Sequence, residues 1–326
     1  MSADVSSGLD RRTLIGLAAA ALAAPASARA QTERPPEIIR LWPARPPGAP
    51  AQLPQERIEE RTEDGVANKV VLGIGEPSMT VIRPPSPNGA VLLLLPGGGY
   101  VEQWFEKEGL EIARRFAPAG ITSFVLRYRL PQEGWAEPRA VALQDAQRAV
   151  RLIRARAPAM GLDPARVCAM GFSAGGHLAA SLSTRSEAAY PAVDAADAGS
   201  TRPDLAVLVY PAIDMALSMR DVWRPVALLG PEPGEEAMSV HTPSRFVNRA
   251  TPPTFLVHTV DDQLVSAEHS LVYAAALQAQ RVPYELHIFE EGRHGFALRR
   301  PAEAPVAAWP DLFLRWAARH RFLPSA

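Results

Sequence analysis

Residues 166–180 read RVCAMGFSAGGHLAA, an apolar run that leads through a serine between glycines into small residues. The letters RVCAMGF are typical of a buried strand, and AGGHLAA is typical of a helix. So sharp a turn strains the backbone of its middle residue, Ser173, while Gly171 and Gly175 let strand and helix approach each other. The Ser173 hydroxyl would then project at a helix N-terminus, where the dipole and free N–H groups favour negative charge. The pattern Gly-x-Ser-x-Gly also arises by chance, so the surrounding chain has to supply the context.

Strand and helix patterns alternate on both sides of this stretch. Residues 89–96, GAVLLLLP, form a continuous apolar run of the kind that is buried on both faces of a parallel sheet. The predicted strands are KVVLGI, MTVIRP, GAVLLLLP, ITSFVLRY, RVCAMGF, DLAVLVYP, TFLVHTV and YELHIFE. The predicted helices are EKEGLEIARRFAPA, VALQDAQRAVRLIRARA, AGGHLAASLSTR, AEHSLVYAAALQAQ and AAWPDLFLRWAARH. This order predicts an α/β fold with one doubly wound, mostly parallel sheet and helices on both faces.

Two stretches interrupt the alternation, at residues 186–203 and at residues 212–249. Both are expected near the carboxyl ends of strands, where open α/β sheets bind ligands. The second stretch is long for a connection, and connections of that length are usually functional or lid-like. We therefore expect a single domain with insertions at the carboxyl ends of its strands, and the sequence leaves the role of the second insertion open.

The first thirty residues form a separate segment. They contain paired Arg11 and Arg12, an apolar run over residues 14–24 and an Ala-Arg-Ala sequence at residues 28–30. A basic region, an apolar core and an A-x-A site in this order predict an export signal over residues 1–30, and the arginine pair indicates the twin-arginine route. The alternative is a retained anchoring helix. Cleavage of the signal would place the mature protein in a bacterial periplasm or outside the cell.

The rest of the chain divides near residue 65. Residues 31–65 are rich in proline and show no sustained apolar period, which predicts an extended lead-in before an α/β domain at residues 66–326. The 326 residues are 47% hydrophobic and 21% charged, with a mean hydropathy of −0.05, as in an ordinary globular protein. The formal net charge is −1, and no basic patch indicates a nucleic-acid partner. Cys168 is the single cysteine and cannot form an intramolecular disulfide.

A serine hydroxyl is a poor nucleophile unless a base takes its proton, so Ser173 needs partners elsewhere in the chain. On a strand–turn–helix serine of this type, an acid and then a histidine follow on loops after later strands. His294 follows the strand YELHIFE in the stretch EEGRHGFAL. Asp262 follows the strand TFLVHTV, and the adjacent Asp261 is the alternative acid. The sequence therefore predicts that Ser173, Asp262 and His294 act together.

Three glycines directly follow the apolar run of residues 89–96. Because Gly97, Gly98 and Gly99 carry no Cβ, their backbone N–H groups can approach a tetrahedral intermediate and form part of an oxyanion hole. The alternatives are a flexible turn and a phosphate loop. A Walker loop needs Gly-Lys-Ser/Thr and a dinucleotide fingerprint needs Gly-x-Gly-x-x-Gly, and neither is present. No cofactor is predicted, and no spacing of histidines or carboxylates indicates a metal site.

Other histidines are predicted to be structural. His177 lies one helical turn beyond Ser173, and we expect it to pack or to form hydrogen bonds within that helix. His258 lies inside a strand, where burial is the default. His241 and His269 are predicted to lie at the surface.

From about Lys69 to the C-terminus, the chain resembles an α/β-hydrolase of the esterase/lipase group that includes bacterial acetyl-xylan and related carbohydrate esterases. The resemblance is carried by PGGGYVEQWFEKEGLEIARRF, GITSFVLRYRLP, QDAQRAVRLIRARA, GFSAGGHLAA, PPTFLVHTVDDQLV and VPYELHIFEEGRHGFAL. It implies a catalytic triad of Ser173, Asp262 and His294. The acid of this group stands four residues after a strand-end histidine, as Asp262 does after His258.

The resemblance also implies where the oxyanion hole lies. Ala174 and Gly98 would donate N–H groups to the oxyanion, and Gly99 is a further candidate. The sequence departs from the wider group at two positions. Pro96 stands where hormone-sensitive-lipase relatives have a histidine, as in the sugar-esterase-like branch, and Ser266 replaces the usual proline after the acid.

The predicted function is that of a serine esterase that hydrolyses short-chain, above all acetyl, esters on carbohydrates derived from plant polysaccharides. Tyr100 and Trp104, just after the glycines, are candidate substrate contacts that would stack on a sugar ring, with core packing as the alternative. The rival functions are a prolyl-oligopeptidase-like peptidase, a general lipase or carboxylesterase, and an inactive hydrolase fold used as a binding module. The expected partner is a small-molecule or oligosaccharide ester, without nucleic acid and without stable membrane insertion after signal cleavage. The sequence leaves the oligomeric state open.

Overall fold

The computed structural model describes residues 37–63, 65–223 and 225–323, so the predicted export signal of residues 1–30 lies outside the described residues. The strands are β1 (Glu37–Arg40), β2 (Arg57–Glu63), β3 (Val66–Leu72), β4 (Ser78–Ile82), β5 (Val91–Leu95), β6 (Thr122–Arg127), β7 (Val167–Phe172), β8 (Leu205–Val209), β9 (Thr254–Thr259) and β10 (Tyr284–Phe289). The helices are α1 (Glu111–Phe116, preceded by a π-helical turn at Glu106–Leu110), α2 (Val141–Met160), α3 (Ala174–Thr184), α4 (Met215–Ser218), α5 (Val226–Leu229), α6 (Glu235–Val240), α7 (Glu268–Gln280) and α8 (Trp309–Arg319). None of the described helices is long and apolar enough to cross a bilayer.

Eight of these strands form the main sheet, in the spatial order β1-β4-β6-β5-β7-β8-β9-β10. Neighbouring strands are parallel from β6 to β10, whereas β4 and β1 add to one edge as antiparallel strands. The strands β5, β7, β8 and β9 are buried at every residue. Burial of both faces is what their continuous apolar sequences require. The predicted α/β fold with a mostly parallel sheet is therefore confirmed.

The predicted extended lead-in of residues 31–65 contains two strands. β1 pairs with β4 at the edge of the main sheet, and β2 pairs with β3 in a separate two-stranded sheet. β1 has only four residues, and β2 reads RIEERTE, so neither carries the apolar period that predicts a strand. The described part of this segment thus belongs to the fold instead of preceding it.

Helices cover the sheet and fix the position of Ser173. α3 packs on β7 and β8, α1 packs on β6, and α8 packs on β9. Phe116 of α1 meets Trp309 and Phe313 of α8 in edge-to-face contacts, with ring centroids 6.1 and 5.2 Å apart. Because α3 starts directly after β7, Ser173 lies at the carboxyl edge of a central strand.

Two arginines of α2, Arg148 and Arg151, are buried. Arg148 is 1% exposed, donates to the carbonyl oxygen of Leu41 at 2.9 Å and pairs with Asp197 at 2.9 Å. Close by, the indole N–H of Trp42 donates to Asp145 at 2.8 Å. The proline-rich segment therefore docks on α2 through hydrogen-bonded buried charges, which a single helix pattern cannot reveal.

Residues 212–249, hereafter the long insertion, follow β8 and contain α4, α5 and α6. The Nδ1 atom of His269 accepts the N–H groups of Ile213 and Asp214, both at 2.9 Å, and so anchors the base of the insertion to α7. His269 is fully buried, so its predicted surface position is wrong, because the insertion covers it. His241, at the end of α6, is half-buried rather than exposed.

Candidate active site

Ser173 occupies a strained turn between β7 and α3. Its backbone angles, φ 52° and ψ −117°, lie in a region that residues other than glycine rarely adopt. A Cβ on Gly171 would lie 2.0 Å from the carbonyl oxygen of Gly175, and a Cβ on Gly175 would lie 2.0 Å from that of Leu95. Strand, turn and helix therefore meet where no side chain fits, and the sharp turn expected from the sequence is present.

Three side chains from separate loops meet at this turn. The Oγ atom of Ser173 lies 2.8 Å from Nε2 of His294, and Nδ1 of His294 lies 2.7 Å from Oδ2 of Asp262. This geometry suits a serine hydroxyl that donates to Nε2 and an Nδ1–H that donates to the carboxylate. The three residues follow β7, β9 and β10, whose carboxyl ends share one edge of the sheet. The structure thus brings together the residues that the sequence predicted to act together.

The carboxylate of Asp262 is held by four hydrogen bonds. Oδ1 accepts the N–H groups of Leu264 and Val265, both at 2.9 Å, and Oδ2 accepts from His294 at 2.7 Å and from His258 at 3.2 Å. Burial by itself would raise the pKa of Asp262. The hydrogen bonds from His258 and His294 outweigh burial and hold this pKa well below its usual range. The group is therefore ionised at neutral pH and can stabilise a protonated His294.

The alternative acid, Asp261, does not reach the histidine. Its carboxylate accepts the N–H groups of Gly292 at 3.1 Å and of Arg293 at 2.7 Å. Asp261 thus fixes the loop that leads to His294, while Asp262 contacts the ring itself.

His258 is buried, as predicted, but its contact with Asp262 was missed. Its Nδ1 lies 2.8 Å from Oγ of Ser270, and its Nε2 lies close to Oδ2 of Asp262 and 3.0 Å from the carbonyl oxygen of Val265. Because two oxygen acceptors face Nε2, the proton is on Nε2, and Nδ1 accepts the Ser270 O–H. His258 therefore orients the carboxylate, and the four-residue spacing to Asp262 is the sequence feature that could have shown this.

The glycine loop after β5 lies beside Ser173. Gly98 and Gly99 have φ angles of 127° and 63°, and a Cβ on Gly97 would lie 3.0 Å from Cβ of Ser173. Ala174 is the first residue of α3, so its N–H has no acceptor within the helix. In the described part of the chain, no hydrogen bond uses the N–H groups of Gly98, Gly99 or Ala174. These donors are available to an oxyanion.

Glu108, in the π-helical turn, supports this loop from below. It is 3% exposed, and its two oxygens accept the Gly97 N–H at 2.7 Å and the Tyr210 O–H at 2.9 Å. The Tyr210 ring meets His294 edge-on, with centroids 5.0 Å apart. One carboxylate thus ties the glycine loop to the ring that packs on the histidine. The sequence carries no signal for this role of Glu108, because a glutamate in an amphipathic pattern predicts a solvent-facing side chain.

A cavity of about 280 Å³ opens beside Ser173. Trp104 lines it, as expected for a substrate contact, and Trp223 from the long insertion faces it as a second aromatic wall. Lys107 pairs with Glu63 in the same cavity, and its Nζ lies 4.6 Å from the centre of the Trp104 ring. The sequence could not place Trp223 or Glu63, because both lie in segments without a regular period.

A second cavity, of about 420 Å³, adjoins the first one. Glu63, Leu264 and His294 line both cavities, and Gln263 and Arg293 add polar groups to the second. The histidine therefore faces an aromatic space on one side and a polar space on the other. Within the described residues, no three His, Cys, Asp or Glu side chains are grouped as a metal site would require.

Tyr100 does not line the Ser173 cavity, so its prediction as a substrate contact is wrong. The side chain is 1% exposed, and its hydroxyl lies 2.7 Å from Nδ1 of His177. The ring is buried and lines a separate cavity between α3 and the long insertion, so the alternative of packing accounts for it. His177 is 3% exposed and its Nε2 lies 2.8 Å from the carbonyl oxygen of His241, so it is the hydrogen-bonding residue that the sequence predicts.

A comparison with protein families decides the relationship of the chain. The profile of the family described as BD-FAE matches residues 81–277, which include the glycine loop, the strained serine and the aspartate. The chain belongs to the BD-FAE family. Its fold is that of the α/β-hydrolases, as the sheet order and the neighbouring solved structures show.

Relatives of this BD-FAE chain include a solved acetyl ester-xyloside bifunctional hydrolase from Caldicellulosiruptor lactoaceticus. The two are 31% identical with a TM-score of 0.71, over 88% of this chain and 97% of that one. An acetylxylan esterase from Xylanibacter ruminicola is 29% identical over 226 residues, which are 68% of this chain and 44% of the relative. An endo-1,4-beta-xylanase B from Butyrivibrio fibrisolvens is 32% identical over 214 residues, 64% and 32% of the two chains. The chain thus spans less than half the length of these two curated relatives.

We predict that His177 makes the stability of this BD-FAE chain pH-dependent. Burial lowers the pKa of His177 from its ordinary 6.5 to about 3. The folded-state pKa is the lower of the two. The contribution of the neutral His177 side chain to the free energy of unfolding is therefore complete above pH 6.5 and is lost as the pH falls towards about 3. The loss is about 1.4 kcal/mol per pH unit. Urea unfolding of the wild type and of His177→Gln, from neutral to acidic pH, measures it.

The substitution should lower stability at neutral pH and flatten the fall of the unfolding free energy with acid. His287→Gln, at a partly exposed strand position, is the matched control and should keep the wild-type slope. Equal slopes in the wild type and in His177→Gln would contradict the assignment.

Proposed function

We propose that the protein is a serine esterase that removes acetyl and other short acyl groups from carbohydrate esters, above all from fragments of plant polysaccharides. The proposal is carried by two hydrogen bonds that link Ser173 to His294 and His294 to Asp262, beside unpaired backbone N–H groups. These three linked side chains are called the hydrogen-bonded row below. Relatives named acetylxylan esterase and acetyl ester-xyloside hydrolase support the choice of substrate.

In the first half of the reaction, Oγ of Ser173 attacks the carbonyl carbon of the ester. The hydroxyl proton passes to Nε2 of His294, and Asp262 stabilises the imidazolium through Nδ1–H without taking the proton itself. The tetrahedral intermediate then collapses, the bond to the alcohol oxygen breaks, and His294 gives its proton to the leaving alcohol. The acyl group remains bound to the serine as an ester.

The developing oxyanion binds to backbone donors. Ala174 presents the first free N–H of α3, and Gly98 and Gly99 approach from the other side because no Cβ intervenes. Each such donor contributes about 3–4 kcal/mol to transition-state stabilisation. The donors are fixed before the substrate arrives, so no reorganisation is needed during the reaction.

In the second half, water replaces the alcohol. His294 removes a proton from the water molecule, the hydroxyl attacks the acyl carbon, and collapse of the second intermediate releases the carboxylic acid and returns the proton to Ser173. No cofactor takes part in this scheme.

The shape of the cleft supports a carbohydrate as the alcohol. Sugar rings present flat C–H faces and a rim of hydroxyl groups, so they suit a site with aromatic walls and a few polar groups. Trp104 and Trp223 offer the flat apolar faces, while Glu63, Gln263 and Arg293 offer hydrogen-bonding groups within reach of the same histidine.

Replacing Ser173 tests the mechanism. Ser173→Ala removes the nucleophile, so we expect acetate release from acetylated xylo-oligosaccharides to fall by at least about 10⁴-fold. Labelling by a fluorophosphonate probe should disappear as well. Ser183→Ala, which removes a buried hydroxyl bonded only to the Ala179 carbonyl oxygen in the same helix, is the matched control and should keep both activities.

Undiminished hydrolysis by Ser173→Ala would remove the serine from the mechanism. A wild type that hydrolyses neither acetylated sugars nor a short p-nitrophenyl ester, and is not labelled, would favour the inactive binding module. A panel of acyl chain lengths separates the proposed acetyl preference from a general lipase.

Replacing Glu108 tests the support of the oxyanion loop. Glu108→Ala releases both the Gly97 N–H and the Tyr210 hydroxyl, so we expect kcat to fall by about 10²-fold with a smaller change in KM. Glu108→Gln should recover most of the activity. Its amide oxygen can accept the Gly97 N–H, and its NH₂ can donate to Tyr210, whose hydroxyl also accepts.

Steady-state kinetics on a short p-nitrophenyl ester, with the thermal midpoint of each variant, distinguish positioning from folding. Equal losses of kcat in the alanine and glutamine variants would contradict a role through neutral hydrogen bonds. A loss confined to KM would place Glu108 in substrate binding instead.

We further propose that the protein is exported to a bacterial periplasm or to the cell exterior. Support comes from the order of the arginine pair, the apolar run and the A-x-A sequence in residues 1–30. N-terminal sequencing of the protein from the native compartment should begin at Gln31. Replacing Arg11 and Arg12 by lysine should retain the precursor in the cytoplasm, and a mature protein that begins at the initiator methionine would reject export by this route.

A further inference from the structure

The protein contains a cavity of about 340 Å³ that does not include Ser173. Its volume lies within the range of roughly 300–1,000 Å³ that small-molecule sites occupy. It lies between α2, α3 and the long insertion, and its walls are mainly apolar. Its apolar lining comes from Ala142, Leu143, Leu178, Leu228 and Val240, among others.

Two guanidinium groups also line this cavity, and neither of them has a carboxylate partner among the described residues. Arg139 donates to the carbonyl oxygen of Leu229 at 3.0 Å, and the guanidinium of Arg185 lies 4.4 Å from the centre of the Phe246 ring. The Nε atom of Arg185 is buried without a hydrogen-bond partner. In contrast, Arg148 elsewhere in the core pairs with carboxylates. Arg139 is exposed and Arg185 is partly buried, so the cost of burial falls on the Nε–H of Arg185, which lacks an acceptor that a bound anion would supply.

The other titratable groups of the cavity do not supply that anion. They are Tyr100, His177 and His241, and burial lowers the pKa of both histidines and raises that of the tyrosine. The Tyr100 hydroxyl is bonded to His177, and His177 is bonded in turn to the carbonyl oxygen of His241. Burial also lowers the pKa of Arg185, with no carboxylate to offset it. The net charge of the lining is positive.

We propose that this cavity is a binding site for a small organic carboxylate. Arg185 and Arg139 bind the carboxylate group, since a guanidinium fork matches its two oxygens. The apolar walls from Leu143, Leu178 and Leu228 bind the body of the ligand. Inorganic phosphate is disfavoured, because most of the lining cannot form hydrogen bonds with its remaining oxygens.

This site gives the long insertion a second role, in addition to the placement of Trp223 beside Ser173. α5 contributes Leu228, and the end of α6 contributes Val240 and His241, so the insertion closes the cavity over α2 and α3. Nothing in this site uses the nucleophile or its partners. Carboxylate binding is therefore independent of the proposed esterase reaction and can be measured without turnover.

Calorimetric titration with benzoate, and with benzamide as its uncharged counterpart, tests the proposal on the full chain. We expect saturable binding of benzoate and at least about tenfold weaker binding of benzamide. Arg185→Met keeps the apolar stem but removes the charge, and it should weaken benzoate binding by about tenfold or more. Arg139→Met, at an exposed position where folding is not at risk, should also weaken it. Arg220→Met, an exposed arginine of the same insertion, is the matched control and should bind as the wild type does.

The proposal would be overturned by no saturable binding of benzoate, by equal binding of benzoate and benzamide, or by unchanged affinity in both Arg185→Met and Arg139→Met. A crystal of the protein with 4-bromobenzoate locates the bromine by its anomalous signal. Density beside Ser173 alone, with none between α3 and the long insertion, would equally reject the site.

Discussion

The active site depends on one strained residue, because Ser173 is held with a positive φ angle at the end of a buried strand. Such a conformation costs on the order of 1–3 kcal/mol and persists only where the surroundings determine it. The N–H of Ser173 donates to the carbonyl oxygen of Val209, and its own carbonyl oxygen accepts from Ala212 at 3.3 Å and from His177 at 3.1 Å. Neighbouring strand, helix and insertion thus fix the serine before any substrate contact is made.

Two buried carboxylates keep the groups around this serine in place. Asp262 is satisfied by four donors and orients His294, while Glu108 links the glycine loop to Tyr210. Both carboxylates are removed from water and both accept hydrogen bonds on each oxygen, which is the condition under which buried polar groups are tolerated. The base and the oxyanion loop are therefore positioned by two carboxylates that are themselves held by hydrogen bonds.

The long insertion supplies residues to the cavities around this site at the carboxyl edge of the sheet. It brings Trp223 to the cavity beside the serine and Leu228 to the cavity that we propose for carboxylates. Tyr100 lines the second of these spaces and does not line the first. A change in the insertion can thus alter the substrate cleft or the second site while the hydrogen-bonded row remains intact.

The sequence by itself determined the alternating α/β fold and the residues of the row, because apolar periods and the glycines around Ser173 are local properties. It favoured Asp262 over the adjacent Asp261 as the acid, but both follow the same strand, and the structure decides between them because only Asp262 lies within hydrogen-bond distance of His294. It also missed β1, β2, Glu108 and the burial of His269. Tertiary structure alone decided these, because charged and polar residues lack an apolar period and become buried only when distant segments cover them and supply their hydrogen bonds.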